Sequence, residues 1–435
     1  SNYSTIIIDL YIQKIKKDVI EIDKEIKHLK DDISILANKC EDIEVMYDYF
    51  NIQKERKEAL GCLLKTESTF VLEGFVPVSD IALFKNKISK WKWNCFIDIK
   101  KPDENEEFPI LLKNNKLVEP FELITELYSM PNTKEIDPNA IMAPFFFLFF
   151  GMMVSDAGYG LLMSIATAIA IYKLRPKGIV EKLLKLLFFG GISTFIWGAF
   201  FGGWFGDIIT KITSGKVVIR PLWFNPVEDP MKLLMWSFIF GGLHLYTAMG
   251  VKAYEAIKEG KIWDAIFDTG FWYIFLTGLV LLLVGGQAGV IGKYMAISGA
   301  ILLILTQGRA EKNVFKKFTK GVTSLYNAVG FMSDVLSYSR LLALGLATGV
   351  IASVINTIGV LFGFNIFGIV VFILVFIGGH IFNIMINALG AFVHASRLQY
   401  VEFYGKFYEG GGKPYKPFKV NTKYININVN EEGKK

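Results

Sequence analysis

Two arginines stand inside long apolar runs in the last quarter of the chain. Arg340 lies within residues 337–344 and Arg397 within residues 394–398, and neither run contains another charged residue apart from a histidine. Arginine at membrane depth costs about 2.5–3.5 kcal/mol on insertion scales, so it persists there mostly when it is paired or serves an ion pathway. Arg340 is the deeper of the two, whereas Arg397 is close enough to a helix end to reach water by snorkelling.

Each arginine ends a polar stripe whose members recur at steps of three and four residues, the spacing of one helix face. The stripe that ends at Arg397 consists of His380, Asn383, Asn387, Gly390, His394 and Arg397, and the earlier one of Tyr326, Gly330, Ser333, Ser337 and Arg340. A polar stripe on an apolar helix needs partners or water, so it indicates either an ion path or hydrogen bonds between helices. Asp334 is six residues from Arg340 and so on a different face, and we do not expect the two to pair.

Other polar residues give weaker signals. Asp156 and Asp207 stand at the ends of apolar segments, where we expect helix capping, and we expect His244 and Tyr246 at the membrane interface. The chain has no phosphate-binding glycine loop, no HExxH and no Ser/His/Asp arrangement, and we predict no nucleotide site, cofactor or metal. Three cysteines without metal-ligand spacing predict reduced, buried thiols in a cytosolic domain. They are Cys40, Cys62 and Cys95.

The arginines depend for their position on a membrane domain that fills the C-terminal two-thirds of the chain. Of the 435 residues 52% are hydrophobic and 20% charged, below the roughly 25% of soluble proteins. We predict eight membrane segments, at about 142–155, 158–174, 183–210, 232–253, 266–286, 289–308, 320–358 and 366–404. With both termini cytosolic, the inner loops hold twelve Lys and Arg and the outer loops three, as the positive-inside rule requires. The last two segments are longer than a bilayer needs and must tilt or kink.

An acidic, soluble region precedes the membrane domain. Residues 1–140 have a net charge of −6 and the remainder +12. Apolar residues at alternating +4 and +3 steps predict a coiled-coil helix from about residue 5 to 60, whose partner is another helix of this chain or a second subunit. These residues are Ile8, Ile12, Ile15, Val19, Ile22, Ile26, Leu29, Ile33, Leu36, Cys40, Ile43, Tyr47 and Phe50. Residues 68–99 predict strand, helix and strand, with the second strand at residues 95–99.

The predicted fold is mainly α: a long coiled-coil helix plus a small α/β module, followed by an eight-helix transmembrane domain with two long tilted C-terminal helices. We divide it into a coiled-coil arm (1–67), a cytosolic α/β module and linker (68–139), a transmembrane domain (140–404) and a cytosolic tail (405–435). This composition excludes a disordered chain, a disulfide scaffold and an ordinary soluble enzyme. Basic residues lie in loops between apolar runs, so we expect a lipid bilayer and no nucleic acid as partner. The absence of an initial Met predicts a truncated or processed chain.

Four motifs follow the coiled coil and the module in a characteristic order. They are PFFFLFFG at 144–151, SDAGYG at 155–160, SYSRL at 337–341 and SRLQYVEF at 396–403. In this order they resemble subunit I, also called subunit a, of V-type/A-type rotary ATPases. The resemblance implies a stator subunit beside a rotating proteolipid (c/K) ring, with two half-channels that carry H⁺ or Na⁺ to and from the ring carboxylates. It also implies peripheral-stalk E/G-type partners on the arm and admits a central-stalk cap subunit.

By position, Arg340 and Arg397 match the arginine pair of that family. The resemblance places half-channel lining at Tyr326, Ser333, Ser337, His380, Asn383, Asn387, His394 and Glu402. Eukaryotic members have carboxylates where this chain has Tyr326 and Asn387, and a histidine where it has Thr348. The transported ion therefore stays open. Short loops and an Ile/Lys-rich composition favour a prokaryotic plasma membrane.

Two other functions compete with this interpretation. A stand-alone secondary ion transporter predicts inverted repeats and paired broken helices, and the sequence shows no repeat between its halves. A membrane scaffold without transport leaves Arg340 without a role.

Overall fold

The structure is a computed structural model that describes residues 2–67, 69–90, 95–103, 106–213, 215–309, 313–363, 365–420 and 422–425. The mainly helical fold is confirmed. The chain forms two compact units, one of residues 1–99 with 416–435 and the other of residues 100–415.

The first unit is built on two consecutive helices, α1 (Asn2–Asn38) and α2 (Cys40–Gly61), which are separated at Lys39. Its stripe of apolar residues from Val19 to Phe50 is exposed, and no second helix covers it in the described part of the chain. The side chains of Ile8, Ile12 and Ile15 lie outside the described residues. The prediction of buried thiols is wrong, since all three cysteines are free and exposed. Cys40 is exposed because it belongs to the uncovered stripe.

The small module contains less sheet than the sequence indicates. Strands β1 (Leu64–Lys65) and β2 (Phe70–Val71) pair antiparallel, and helix α3 spans Ile81–Ser89. Residues 95–99, expected as the second strand, form no strand, and no neighbouring segment in the described residues pairs with them.

Residues near the C-terminus fold onto α2. The Asp48 carboxylate is buried and accepts hydrogen bonds from the backbone N–H groups of Lys423 (2.8 Å), Tyr424 (3.0 Å) and Ile425 (2.9 Å). The Tyr424 ring meets the Tyr47 ring edge-on, with centroids 5.5 Å apart. Part of the predicted cytosolic tail is thus anchored on the arm. Residues 421 and 426–435 of that tail lie outside the described residues.

The second unit is a helical assembly. Its helices are α4 (Glu122–Tyr128), α5 (Asn139–Val154), α6 (Ala157–Leu174), α7 (Ile179–Phe201), α8 (Ile208–Ile212), α9 (Pro230–Lys258), α10 (Ile262–Ala265), α11 (Phe271–Val284), α12 (Gly286–Gln307), α13 (Val314–Ser337), α14 (Ser339–Val360) and α15 (Ile366–Arg397). Short π-helical turns, Ile266–Gly270 and Leu398–Phe403, join α10 to α11 and extend α15.

Each of the eight predicted membrane segments is helical. Seven helical stretches among the described residues are long and apolar enough to cross a membrane, and α5, with 16 residues, is shorter. The third segment ends earlier than predicted, at Phe201, because Gly202 adopts a left-handed conformation (φ 77°) that ends α7. The seventh segment is divided at Tyr338 into α13 and α14.

The break between α5 and α6 follows from local chemistry. Ser155 has a left-handed conformation (φ 43°) that ends α5, and the Asp156 carboxylate accepts the Tyr159 N–H at 3.0 Å, which caps α6. Asp156 also accepts the N–H groups of Phe205 (3.0 Å) and Gly206 (2.7 Å). The expected capping role of Asp156 is what the structure shows. A Cβ at Gly198 would overlap the Ala157 backbone, so this glycine lets α6 and α7 pack closely.

The core of the second unit surrounds α5. Its phenylalanines and methionines pack against α7, α14 and α15, and the largest buried side chains include Phe146, Phe149 and Phe150. A smaller apolar cluster around Trp272 joins α9, α11, α12 and α13. The two arginine-bearing helices are therefore held against α5, most of whose residues are buried.

Candidate functional site

The structure brings the two arginines together at helix ends. Arg340 is the second residue of α14, just after the break at Tyr338, and Arg397 is the last residue of α15. The charges of the two guanidinium groups act on each other, and both act on His394. Arg340 is half-buried and Arg397 is exposed. The two cations therefore form one positively charged site with an inner and an outer member.

Unpartnered polar atoms cluster in the segments that carry the arginines. In the described residues six buried side-chain atoms have no hydrogen-bond partner, and five of them belong to Arg340 or to residues 394–402. They are Arg340 Nη1, His394 Nδ1, Ser396 Oγ, Gln399 Nε2 and Glu402 Oε2. Buried polar groups in folded proteins are nearly always paired with protein or ordered water. So many unpaired atoms in one place indicate a site that takes up water, an ion or a partner group.

Acidic and basic groups lie beside the arginine pair. Glu402 is buried in the π-helical turn. Its carboxylate is within hydrogen-bond reach of Ser337 and interacts electrostatically with Arg340. Asp334 forms an ion pair with Lys406, whose ammonium group lies 4.3 Å from the centre of the Phe331 ring. The spacing predicted that Asp334 does not pair with Arg340, and in the structure its partner is Lys406. Among the described residues, the buried carboxylate whose charge acts on Arg340 is therefore that of Glu402.

A connected file of hydrogen bonds runs along α15 through the core. The amide nitrogen of Asn387 donates to Asn383 Oδ1 (2.5 Å), and that of Asn383 donates to the Tyr159 hydroxyl (2.8 Å). Tyr159 contacts His380 Nδ1 at 2.5 Å, and His380 Nε2 contacts Asn356 Oδ1 at 3.0 Å. All five of these side chains are buried. Together they form a continuous polar path inside an apolar helix bundle.

The path ends at a carboxylate near the protein surface. Asn356 donates to Asp207 Oδ1 at 3.0 Å, and the Ser353 hydroxyl donates to Asp207 Oδ2 at 2.9 Å. The Asp207 side chain keeps 35% of its surface exposed, and Lys211 lies 3.9 Å away. The side chain of Asp207 does not cap α8, in contrast to our expectation, because Asn356 and Ser353 bind both of its oxygens.

The polar stripe of α15 passes from the core to the surface. His380, Asn383 and Asn387 are buried, Gly390 and His394 are half-buried, and Arg397 is exposed. The steps of the stripe average less than 3.6 residues, so over its length it turns about 100° around the helix. A single helix can therefore join a buried polar file to an exposed cation.

The stripe of α13 behaves differently. Tyr326 and Ser333 are exposed, and Ser337 is half-buried and donates to the Ser333 carbonyl at 3.1 Å. Of the predicted lining residues, the structure thus brings Ser337, His394 and Glu402 to the arginine pair. It places His380, Asn383 and Asn387 in the polar file, and leaves Tyr326 and Ser333 away from both groups.

Sequence reasoning missed several polar side chains of the site. On α14, Thr348 lies eight residues after Arg340 and about 80° around the helix from it, and Asn356 lies a further eight residues along. Both are buried, and the Thr348 carbonyl accepts a bond from Asn383 at 3.3 Å. The eight-residue spacing of these two polar residues within an apolar helix was the available signal. Tyr159 and Gln399 gave no periodic signal, since each stands on a different element from its partners.

His244 is buried, and the prediction of an interfacial position for it is wrong. Its Nδ1 contacts the Tyr338 hydroxyl at 2.8 Å, and its Nε2 contacts Gln399 Oε1 at 2.9 Å. The imidazole lies parallel to the Phe403 ring, with centroids 4.6 Å apart. Tyr246, on the same helix, is half-buried and bonds Thr277 at 3.0 Å. The sequence near His244 gives no sign of this burial, because its partners Tyr338 and Gln399 are distant in sequence.

Comparison with known proteins matches the amino-acid sequence of this chain to a protein family. The V-type ATPase 116kDa subunit family matches residues 8–206 and 323–420, which together make up more than half of the chain. A-type ATP synthase subunit I of Methanocaldococcus jannaschii is 35% identical over 452 residues, covering 95% of this chain and 64% of that protein.

Other relatives agree with this match. A-type ATP synthase subunit I of Pyrococcus horikoshii is 34% identical over 436 residues, covering 97% of this chain and 64% of that protein. V-type ATP synthase subunit I of Borreliella burgdorferi is 27% identical over 422 residues, covering 89% and 68%. The chain thus spans 64% of the length of the first two relatives.

The motif-based resemblance is confirmed by these matches. Together with seven membrane-capable helices, they identify an integral membrane protein. The chain belongs to the V-type ATPase 116kDa subunit family.

Proposed function

We propose that this chain is the membrane stator subunit of a rotary V/A-type ATPase and that it conducts H⁺ or Na⁺ past its arginine pair. The observation that carries the proposal is the coupled pair of Arg340 and Arg397, with unpaired polar atoms around the first and open surface at the second. Relatives named ATP synthase subunit I support the same assignment. We assign no nucleotide chemistry to this chain, which acts as a non-catalytic subunit.

The surface around Arg397 fits a rotating partner that is itself apolar. Apolar residues one to two turns from the arginine are exposed: Leu389 and Val393 on α15, and Val401 in the π-helical turn that follows it. A proteolipid ring offers apolar helices that each carry one carboxylate. A carboxylate that reaches Arg397 is stabilised in its ionised form, because a nearby cation favours the charged state. It releases its ion there, and the fixed charge also stops ions from crossing directly between the two paths.

We assign one half-channel to the file from Asp207 to Asn387. Its oxygens and nitrogens replace the water that an ion loses when it enters the bundle. Three of its members are amides, which hold no exchangeable charge, so an ion passes them with water or through their oxygens. A proton and a sodium ion can each pass the amides in one of these two ways. Asp207, at the exposed end, supplies the negative charge that attracts a cation to the entrance.

We assign the second half-channel to the group around Glu402, Ser337 and the Asp334–Lys406 pair. Glu402 is buried beside Arg340, and its Oε2 has no partner in the described residues. The carboxylate can exchange an ion with a ring carboxylate at the arginine pair, while Asp334 and Lys406 form the charged rim. The two half-channels then meet the arginines from opposite ends, which is the offset that rotation requires.

The orientation follows from the charge of the loops. We propose cytosolic termini in a prokaryotic plasma membrane, so the Asp207 file opens outside and the Glu402 group inside. The exposed apolar stripe of α1 and α2 offers a seam to which peripheral-stalk subunits of E/G type or another helix can bind. The arm then links the membrane sector to the stalks.

Site-directed cross-linking tests the contact with the ring. In a complex whose native cysteines are replaced, Val393→Cys or Val401→Cys is paired with a cysteine placed next to the ring carboxylate. We expect disulfides between this chain and the proteolipid, since both positions lie one turn from Arg397. The matched control is Ile169→Cys, an exposed apolar position on α6. Cross-links that form equally at Ile169, or not at all near Arg397, contradict the proposal.

A further inference from the structure

His244 joins the two segments that carry the arginines. Tyr338, which binds its Nδ1, stands two residues before Arg340, and Gln399, which binds its Nε2, stands two residues after Arg397. The histidine belongs to α9, which carries neither arginine. One imidazole thus bridges the break between α13 and α14 to the π-helical turn that follows α15.

The bridge is neutral and directional. Gln399 contacts the ring through its carbonyl oxygen, which only accepts, so Nε2 carries the proton and donates it. Nδ1 is then an acceptor, and the Tyr338 hydroxyl donates to it. Both ring nitrogens are satisfied in this tautomer, and all three side chains are fully buried. The imidazole therefore binds both segments without adding a third cation to the arginine site.

Aromatic packing fixes the imidazole in place. Phe403 lies parallel to it, Phe145 is 4.5 Å away between centroids, and Phe149 meets it edge-on at 5.2 Å. One turn earlier on α9, Gly241 admits the Tyr338 ring, since a Cβ there would overlap that ring. Close packing and two hydrogen bonds leave the bridge little freedom, because rotation of the imidazole would break both bonds and meet the surrounding aromatic rings.

We propose that His244 is a positioning residue that sets the distance between Arg340 and Arg397. The inference rests on the proposed function, in which both arginines act on one passing ring carboxylate. Positioning matters there because an ångström-scale displacement of an active group costs on the order of a hundredfold in rate. Loss of the bridge lets the α14 start and the α15 end shift independently, so ATP hydrolysis and ion movement lose their coupling.

The test measures ATP hydrolysis and ATP-driven ion uptake together in vesicles that contain the whole complex. His244→Phe keeps the ring stacking and removes both hydrogen bonds, and His244→Gln keeps one donor and one acceptor. We expect ions moved per ATP to fall roughly tenfold in His244→Phe and to recover in part in His244→Gln. The control is Tyr246→Phe, which removes one hydrogen bond from the same helix, far from the arginines in sequence, and should leave coupling unchanged.

A purely structural role lowers the yield of assembled complex without changing ions per ATP in the complexes that form. If His244→Phe does not assemble, the same measurement is made on Gly241→Ala. This variant keeps the histidine but displaces the Tyr338 ring, so we expect the same loss of coupling. The inference is overturned if the assembled His244→Phe or Gly241→Ala complex moves as many ions per ATP as the Tyr246→Phe complex, while Arg340→Ala abolishes uptake. Unchanged uptake in Arg340→Ala instead refutes the proposed function, and the inference fails with it.

Discussion

Removal of one hydroxyl should interrupt the polar file. Tyr159→Phe deletes the oxygen that contacts His380 Nδ1 at 2.5 Å and accepts from Asn383 at 2.8 Å. Asn383 keeps its bond to the Thr348 carbonyl, so the His380 nitrogen is the atom left without a partner. An unpaired buried polar group costs about 1–3 kcal/mol. If the ion passes this point at the top of its barrier, the loss of a contact worth about 1–3 kcal/mol slows uptake roughly 5- to 150-fold.

ATP-driven uptake in vesicles that contain the whole complex measures the effect, with the amount of assembled complex determined in parallel. Tyr273→Phe is the matched control, because its hydroxyl bonds a single backbone carbonyl, that of Tyr246, outside the file. We expect the control to transport at the wild-type rate. A Tyr159→Phe complex that assembles and transports as fast as the control would refute the assignment of this file to the ion path.

Two further predictions concern the arm and the close packing of helices. Burial opposes ionisation of Asp48, but the backbone N–H groups of residues 423–425 and the Lys423 charge outweigh it and lower its pKa below the usual 3.8. A lowered pKa stabilises the contact at neutral pH, and this contribution is lost as pH falls through that lowered value. Hydrogen exchange at residues 423–425 should therefore stay slow from neutral pH to about pH 4 and become fast in Asp48→Asn at neutral pH; equal protection in both contradicts this role. Gly198→Ala should destabilise the α6–α7 pair by about 1–3 kcal/mol and lower the yield of folded protein in detergent, whereas Gly242→Ala, with open space around its Cβ, should not; equal yields would contradict the packing argument.

Local signals in the sequence located the elements that carry the site. Continuous apolar runs predicted the helical segments of the second unit, and the predicted boundary between segments 142–155 and 158–174 coincides with the break between α5 and α6. Arg340 and Arg397 were visible because a charge in an apolar run is costly and therefore rare. Three- and four-residue spacing placed His380, Asn383 and Asn387 on one helix face, and the structure shows them buried together.

Contacts between distant segments were not readable from spacing. Tyr159 lies more than 200 residues before its partners His380 and Asn383, and His244 lies 155 residues before Gln399. Helix periodicity describes one element at a time, so it identifies a polar face without saying which helix covers it. The turn of the α15 stripe follows from its spacing, but spacing does not say which end of the stripe is buried.

Burial of isolated residues was the least predictable property. The cysteines were expected to be buried because there are three of them without metal-ligand spacing, which is typical of reduced thiols in a cytosolic domain. In this chain they lie on surfaces that the described residues leave uncovered. A residue's own type does not report whether a neighbouring segment is present to cover it.

Ion uptake by the Arg340→Ala complex tests the central claim most directly. Vesicles that contain the whole complex are supplied with ATP, and a sodium probe and a proton probe are read in parallel for wild type and variant. The account predicts that the assembled variant loses uptake, because Arg340 no longer forces ring carboxylates to release their ion, and the probe that responds in wild type names that ion. Wild-type uptake by a fully assembled Arg340→Ala complex would contradict the account and leave Arg340 as a packing residue.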